Sequence, residues 1–261
     1  AWQAKEPSPE LASLSLEEKI GQLFMVAAWT NKGPEHEAEL RRMVTEQKVG
    51  GLIWFQGGPV SQVNWTNRLQ LLAKTPLLIG QDAEWGPSMR LDSTVLYPRQ
   101  LGMGAIEEDR VVYRYGREVA RQLRLLGVHI NFAPVIDVNN NPNNPVIGDR
   151  SFGEDRLNVS LKGLAYMEGM QENGVLACGK HFPGHGDTDV DSHVGLPVIE
   201  YPWPRLDTLE LYPFKVLMSQ GLASVMTAHL HIPTLDDTPD RAASVSPAIT
   251  GALLRDSLGY Q

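Results

Sequence analysis

The residues of this chain best equipped for chemistry are gathered in one stretch, Lys180-His181-Phe182-Pro183-Gly184-His185-Gly186-Asp187-Thr188-Asp189-Val190-Asp191-Ser192-His193. Three histidines, three aspartates and a lysine stand around a proline and two glycines. Imidazole titrates at about 6.5, so it can give and take a proton near neutral pH. Asp191 and His193 lie two apart. On a turn, that spacing lets the carboxylate reach one ring nitrogen, fix the tautomer and leave the other nitrogen to a substrate. The glycines allow such a loop to close over a substrate.

Other chemistries use the same residue types. Asp187, Asp189 and Asp191 match the first three ligands of a calcium-binding loop, but the sixth position is Ser192 rather than Gly and the twelfth is Val198 rather than Glu. His181, His185 and His193 could hold zinc, though their spacing fits none of the usual signatures. A solvated turn explains the aspartates and leaves the histidines and lysine unexplained. The catalytic reading is preferred, with no metal and no cofactor.

The same residues carry a family likeness. Lys180-His181-Phe182-Pro183-Gly184-His185-Gly186 followed by Asp191-Ser192-His193 resembles glycoside hydrolase family 3, specifically its bacterial β-N-acetylglucosaminidase branch. The β-glucosidase branch shares a Lys-His step but lacks the Gly-His-Gly and Asp-Ser-His continuation. The resemblance implies a retaining hydrolase that removes terminal β-N-acetylglucosamine, with cell-wall fragments as a source, through a covalent glycosyl-enzyme. It implies His193 as general acid/base, Asp191 as its orienting partner, and Lys180 and His181 as holders of sugar hydroxyls. Gln81-Asp82-Ala83-Glu84-Trp85-Gly86-Pro87-Ser88-Met89-Arg90 resembles the family's Asp-x-Glu-Gly-Gly segment ending in Arg, which implies that Asp82 grips the sugar. Trp85 departs from the family's Gly there and offers a stacking face, and Ser88 departs from its Val. Turn chemistry at Asp82 and an ion pair between Glu84 and Arg90 are the structural alternatives. Asn144-Pro145-Val146-Ile147-Gly148-Asp149-Arg150-Ser151-Phe152-Gly153 resembles the family's Arg-Ser-Phe-Gly run and implies Arg150 as a further sugar contact. Its alternative is an Arg that ties loops together through carbonyls. His229, after Met226-Thr227-Ala228, matches the end of the family's sixth strand. His185, His229 and Trp85 are supporting candidates. The asparagine-rich run 139–144 reads as turn chemistry without function.

Along the chain, apolar runs alternate with helical periodicities. Strands are expected at 21–28, 49–55, 76–80, within 128–138 (a strand with its loop), 175–179 and 223–229, and helices at 35–47, 60–73, 107–126, 156–173, 206–220 and 247–258. Ser15-Leu16-Glu17-Glu18 is a capping box that opens a short helix. Alternation implies parallel strands, and polar clusters after several strand ends (Asp82, Asp137, the Arg150 loop, the stretch from Lys180, and His229) favour a (β/α)₈ barrel over a doubly wound sheet. Residues 1–13 read as a leader and 14–261 as the barrel domain, with roughly six βα units where a barrel has eight. The family's nucleophile, an aspartate ending the seventh strand, is therefore expected after Gln261, in a C-terminal remainder of the same polypeptide.

Bulk properties narrow the partners. A formal net charge of -8 over 261 residues, with no basic run, argues against nucleic acid. No apolar run approaches the ~20 residues of a membrane span. The single Cys178 rules out an internal disulfide. A start at Ala1 fits signal-peptide removal or trimming, which leans toward an extracytoplasmic or periplasmic bacterial location. The expected partner is a carbohydrate. Rival readings are a β-glucosidase or phosphorylase on the same scaffold, a sugar-binding fragment without turnover, and a metal-dependent hydrolase.

Overall fold

A computed structural model of the chain describes residues 8–191 and 195–260. The chain divides into two compact units, Ala1–Tyr97 with Arg121–Asn131, and Pro98–Ala120 with Phe132–Gln261.

The first unit begins with one helical turn, α1 (Pro9–Ala12), inside the stretch expected to be a leader. The capping box then opens α2 (Leu16–Gly21), with Ser15 and Glu18 each bonding the other's backbone N–H. Gly21 closes this helix, so β1 is Met25–Ala28 and shorter than the run expected from residue 21. α3 (Pro34–Thr45) and α4 (Pro59–Leu72) each start on a glycine followed by proline, whose fixed φ suits the first turn. β2 (Gly51–Trp54), β3 (Leu78–Gln81) and β4 (Ile130–Asn131) follow β1 in chain order, all parallel. Leu40, Leu52, Leu69 and Ile79 are fully buried between helices and strands. Trp54 lies among them and donates its indole N–H to Thr66 Oγ1 at 3.0 Å, which satisfies its one polar atom.

The second unit holds α5 (Gln100–Gly104) and most of α6 (Asp109–Leu125), then α7 (Arg156–Gln171), whose first turn is capped by Asp155. β5 (Leu176–Phe182) pairs in parallel with β6 (Ser224–Thr227). Between them come α8 (Trp203–Arg205), a π-helical turn at Leu206–Glu210 and α9 (Tyr212–Ser219). The helix expected at 247–258 is present at Ala248–Ser257, wound as a π-helix. Phe182 and Phe214 meet edge to face at 5.2 Å, and Ile136, Val159 and Leu217 are fully buried in the same unit.

β5 corrects one boundary that matters for the site. Lys180 and His181 were expected in a loop, yet they lie inside the strand. Lys180 pairs with Met226 on one side. On the other, its carbonyl accepts from Ile136 N at 2.8 Å and its N–H reaches Pro134 O at 3.2 Å. Backbone pairing on both sides satisfies the main chain whatever the side chains carry, so polarity alone did not end the strand.

Candidate active site

In the first unit, Ala28, Trp54 and Gln81 stand in register at the ends of three parallel strands. The next residues, Trp29, Phe55 and Asp82, therefore emerge at one rim. Asp82 is buried and accepts from Arg90 Nη2 at 2.5 Å. The Arg90 guanidinium also lies 4.6 Å over the Phe55 ring, and Trp29 stacks on Phe55 at 5.1 Å. The carboxylate bonded to Arg90 is thus Asp82, not the Glu84 of the structural alternative. Gly86, at φ 85°, and the tight turn Pro87–Met89 bend the chain back by the required amount. Asn131 clamps the residue after Asp82 from both sides, accepting from Ala83 N at 2.9 Å and donating to Ala83 O at 3.1 Å. Trp85 is half-buried.

In the second unit, residues 133–136 run alongside β5, which brings Asp137 next to His181. Asp137 is fully buried. Its carboxylate accepts from His181 N at 3.1 Å, from His185 N at 2.7 Å and from His181 Nδ1 at 2.7 Å. Burial alone would raise its pKa, but the two histidines and these donors outweigh it and hold the carboxyl below its usual range. Burial pushes His181 down, with Asp137 opposing and Lys180 and Arg150 adding to the fall. His181 is therefore a neutral imidazole. Its Nδ1–H goes to Asp137, so Nε2 carries the lone pair, and Arg150 Nη2 faces that nitrogen at 3.4 Å. Such a ring can accept from a hydroxyl but has no second proton to give.

Arg150 also donates Nη1 to Val146 O at 3.1 Å, so it ties its own loop as well as facing His181. Ser151 fixes this loop by donating to Asp137 O at 2.6 Å. Lys180 is buried one residue before His181. His185 is buried, bonded through Nδ1 to Thr188 Oγ1 at 2.8 Å, and packs edge to face on His181 at 5.9 Å. His229 is exposed and bonds Ser244 Oγ at 2.8 Å. Asp191 is half-buried, and its carbonyl accepts from Gly195 N at 3.0 Å. His193 lies outside the described residues. Among the described residues no cluster of His, Cys, Asp or Glu is placed to hold a metal ion, and no helix is long and apolar enough to cross a membrane.

Two features escaped the sequence reading. Asp137 stood out only as a polar residue after the fourth strand, although an acid ending the apolar run Pro134-Val135-Ile136 was a usable signal. The asparagine run, read as mere turn chemistry, braces the loop after β5. Asn140 donates to Asp187 Oδ2 at 3.0 Å, Asn141 to Asp189 Oδ1 at 2.7 Å and Asn144 to His185 O at 2.8 Å.

Comparison with known proteins places this geometry among relatives. Residues 15–261 match the family model described as the glycosyl hydrolase family 3 N terminal domain. The chain is 35% identical over 258 residues to beta-hexosaminidase A of Pseudoalteromonas piscicida, covering 90% of this chain and 42% of the relative. It is 35% identical over 268 residues to the beta-hexosaminidase LpqI of Mycobacterium tuberculosis, covering 98% of this chain and 64% of the relative. A family 3 beta-N-acetylglucosaminidase structure from Paenibacillus sp. str. FPU-7 superposes with a TM-score of 0.89 at 38% identity, covering 95% of this chain and 48% of that one. The beta-glucoside phosphorylase BglX superposes with a TM-score of 0.90 at 25% identity, covering 96% of this chain and 46% of that one. The chain thus spans between 42% and 64% of the first curated relatives it matches.

Proposed function

This chain belongs to glycosyl hydrolase family 3, its six parallel βα units being part of that family's barrel-type domain, and from that premise we propose that the polypeptide carrying it is a retaining β-N-acetylhexosaminidase. The observation that carries this reading is the buried Asp137 bonded to His181 Nδ1, which leaves Nε2 turned to Arg150. A neutral acceptor flanked by fixed cations suits a hydroxyl-rich, uncharged ring. Lys180, buried one residue before His181, contributes to the same recognition.

The chemical step is assigned to the loop after β5. His193, oriented by Asp191, protonates the glycosidic oxygen as it leaves and then deprotonates the water that cleaves the glycosyl-enzyme. The nucleophile is assigned to a further part of the natural polypeptide, since the chain spans 42% of one hexosaminidase relative and 48% of a superposed family structure. Neutral imidazole in place of a carboxylic acid avoids a second anion beside that nucleophile. Terminal N-acetylglucosamine on cell-wall fragments is the proposed substrate class.

The likeness to a phosphorylase favours one second reading, in which phosphate replaces water. Added phosphate separates the two: a sugar phosphate product supports phosphorolysis, and free sugar supports hydrolysis. The main test is His193→Ala in the natural polypeptide. Turnover of a phenyl β-N-acetylglucosaminide is expected to fall by roughly 10² to 10⁴. Unchanged turnover would remove His193 from the chemistry.

A further inference from the structure

The asparagine run braces one side of the loop after β5; the other side rests on a charged bridge that no step above uses. Arg205, the last residue of α8, donates Nη2 to Asp187 Oδ2 at 3.0 Å and Nε to Glu210 Oε1 at 3.1 Å. Its guanidinium lies 4.4 Å over the Tyr201 ring. Glu210 is 5% exposed, and its Oε2 is buried with no hydrogen-bond partner. Gly184, at φ 139°, packs against Glu210: a Cβ there would stand 2.8 Å from Glu210 Cβ.

A half-satisfied buried carboxylate is costly, so this one is poor support for stability alone. What the bridge fixes is geometry. A guanidinium is a planar fork, and spreading two of its nitrogens over two carboxylates sets both distance and angle. One carboxylate belongs to the π-helical turn Leu206–Glu210 and the other to the loop, four residues before Asp191.

We propose that Arg205 is a positioning residue for proton donation, holding Asp187 and so the approach of the loop segment that carries Asp191. The inference rests on the assignment of Asp191 and His193 to the acid/base step. Loss of the bridge lets the loop root shift, and proton delivery to the leaving oxygen suffers while sugar recognition at His181 and Arg150 stays in place.

Leaving-group dependence reads this directly. A phenoxide needs a proton to depart, whereas 2,4-dinitrophenoxide leaves without one. In the natural polypeptide, kcat/KM is measured for aryl β-N-acetylglucosaminides across that range. Arg205→Gln is expected to lose roughly tenfold to a hundredfold on the phenyl glycoside and to stay within about twofold on the dinitrophenyl glycoside. Asp187→Asn keeps the Arg205–Glu210 pair and should give the same signature, which tests the idea if Arg205→Gln does not fold. An equal loss across the series would make the bridge merely structural, and an unchanged series would remove it altogether. His193→Ala is run alongside. If it shows no leaving-group dependence, the acid/base assignment fails; if it does and Arg205→Gln does not, only the inference about Arg205 fails.

Discussion

Asp137 and His181 show how one buried carboxylate sets the chemistry of its neighbour. Three N–H donors make the anion tolerable without water, and the imidazole is left neutral with a fixed tautomer. A pH effect follows from the direction of the His181 shift. The unfolded ring titrates at the ordinary 6.5, and the folded ring below it. Below pH 6.5 the unfolded chain therefore binds a proton that the folded chain refuses. Stability from this group is fully present above 6.5 and is lost as pH falls toward the folded value, at up to about 1.4 kcal/mol per pH unit. Urea unfolding between pH 7 and pH 5 should show a flatter decline in His181→Gln than in the unaltered chain; identical slopes would mean that His181 is not held neutral. The motifs single out Asp82, Arg150, Lys180 and His181 by type and order. Their partners are not legible there: the Asp82–Arg90 pair depends on how Gly86 and the turn after it reverse the chain, and local spacing does not encode that.

Elements were legible where a local signal decides them. Ser15 with Glu18 marks the start of α2, and helical periodicity places α3 and α4 to within a residue of their first turns. Strand limits were less so, because the backbone pairing that carried β5 through Lys180 and His181 comes from segments distant in sequence. The contact between α6 and α7 was also hidden. Gly169 on α7 sits so close to α6 that a Cβ would come within 2.2 Å of Tyr113 O, and Gly116 meets Tyr166 O at 2.5 Å in the same sense. Both neighbours are backbone atoms of helices and cannot swing aside. Gly169→Ala should therefore destabilise the fold by about 3 kcal/mol, since overpacking forces the helices apart. Thermal unfolding checks this, and an unchanged midpoint would contradict the helix contact.

At the scale of the whole molecule, the alternation of strands and helices made the α/β architecture readable, and family membership bears it out. The order of the strands is the order of the chain within each unit, each strand lying parallel beside the next. The division into two units had no counterpart in the sequence, since residues 121–131 join a unit otherwise ended at Tyr97. The proposed activity belongs to the polypeptide that carries this chain, because the chain spans 42% of one hexosaminidase relative and 48% of a superposed family structure. The measurement that tests it most directly is proton NMR of the sugar first released by that polypeptide from an aryl β-N-acetylglucosaminide, run beside the matching β-glucoside. The account predicts turnover of the N-acetylglucosaminide with the β-anomer of N-acetylglucosamine appearing first, as a glycosyl-enzyme requires. Release of the α-anomer first, or turnover of the glucoside alone, would contradict it.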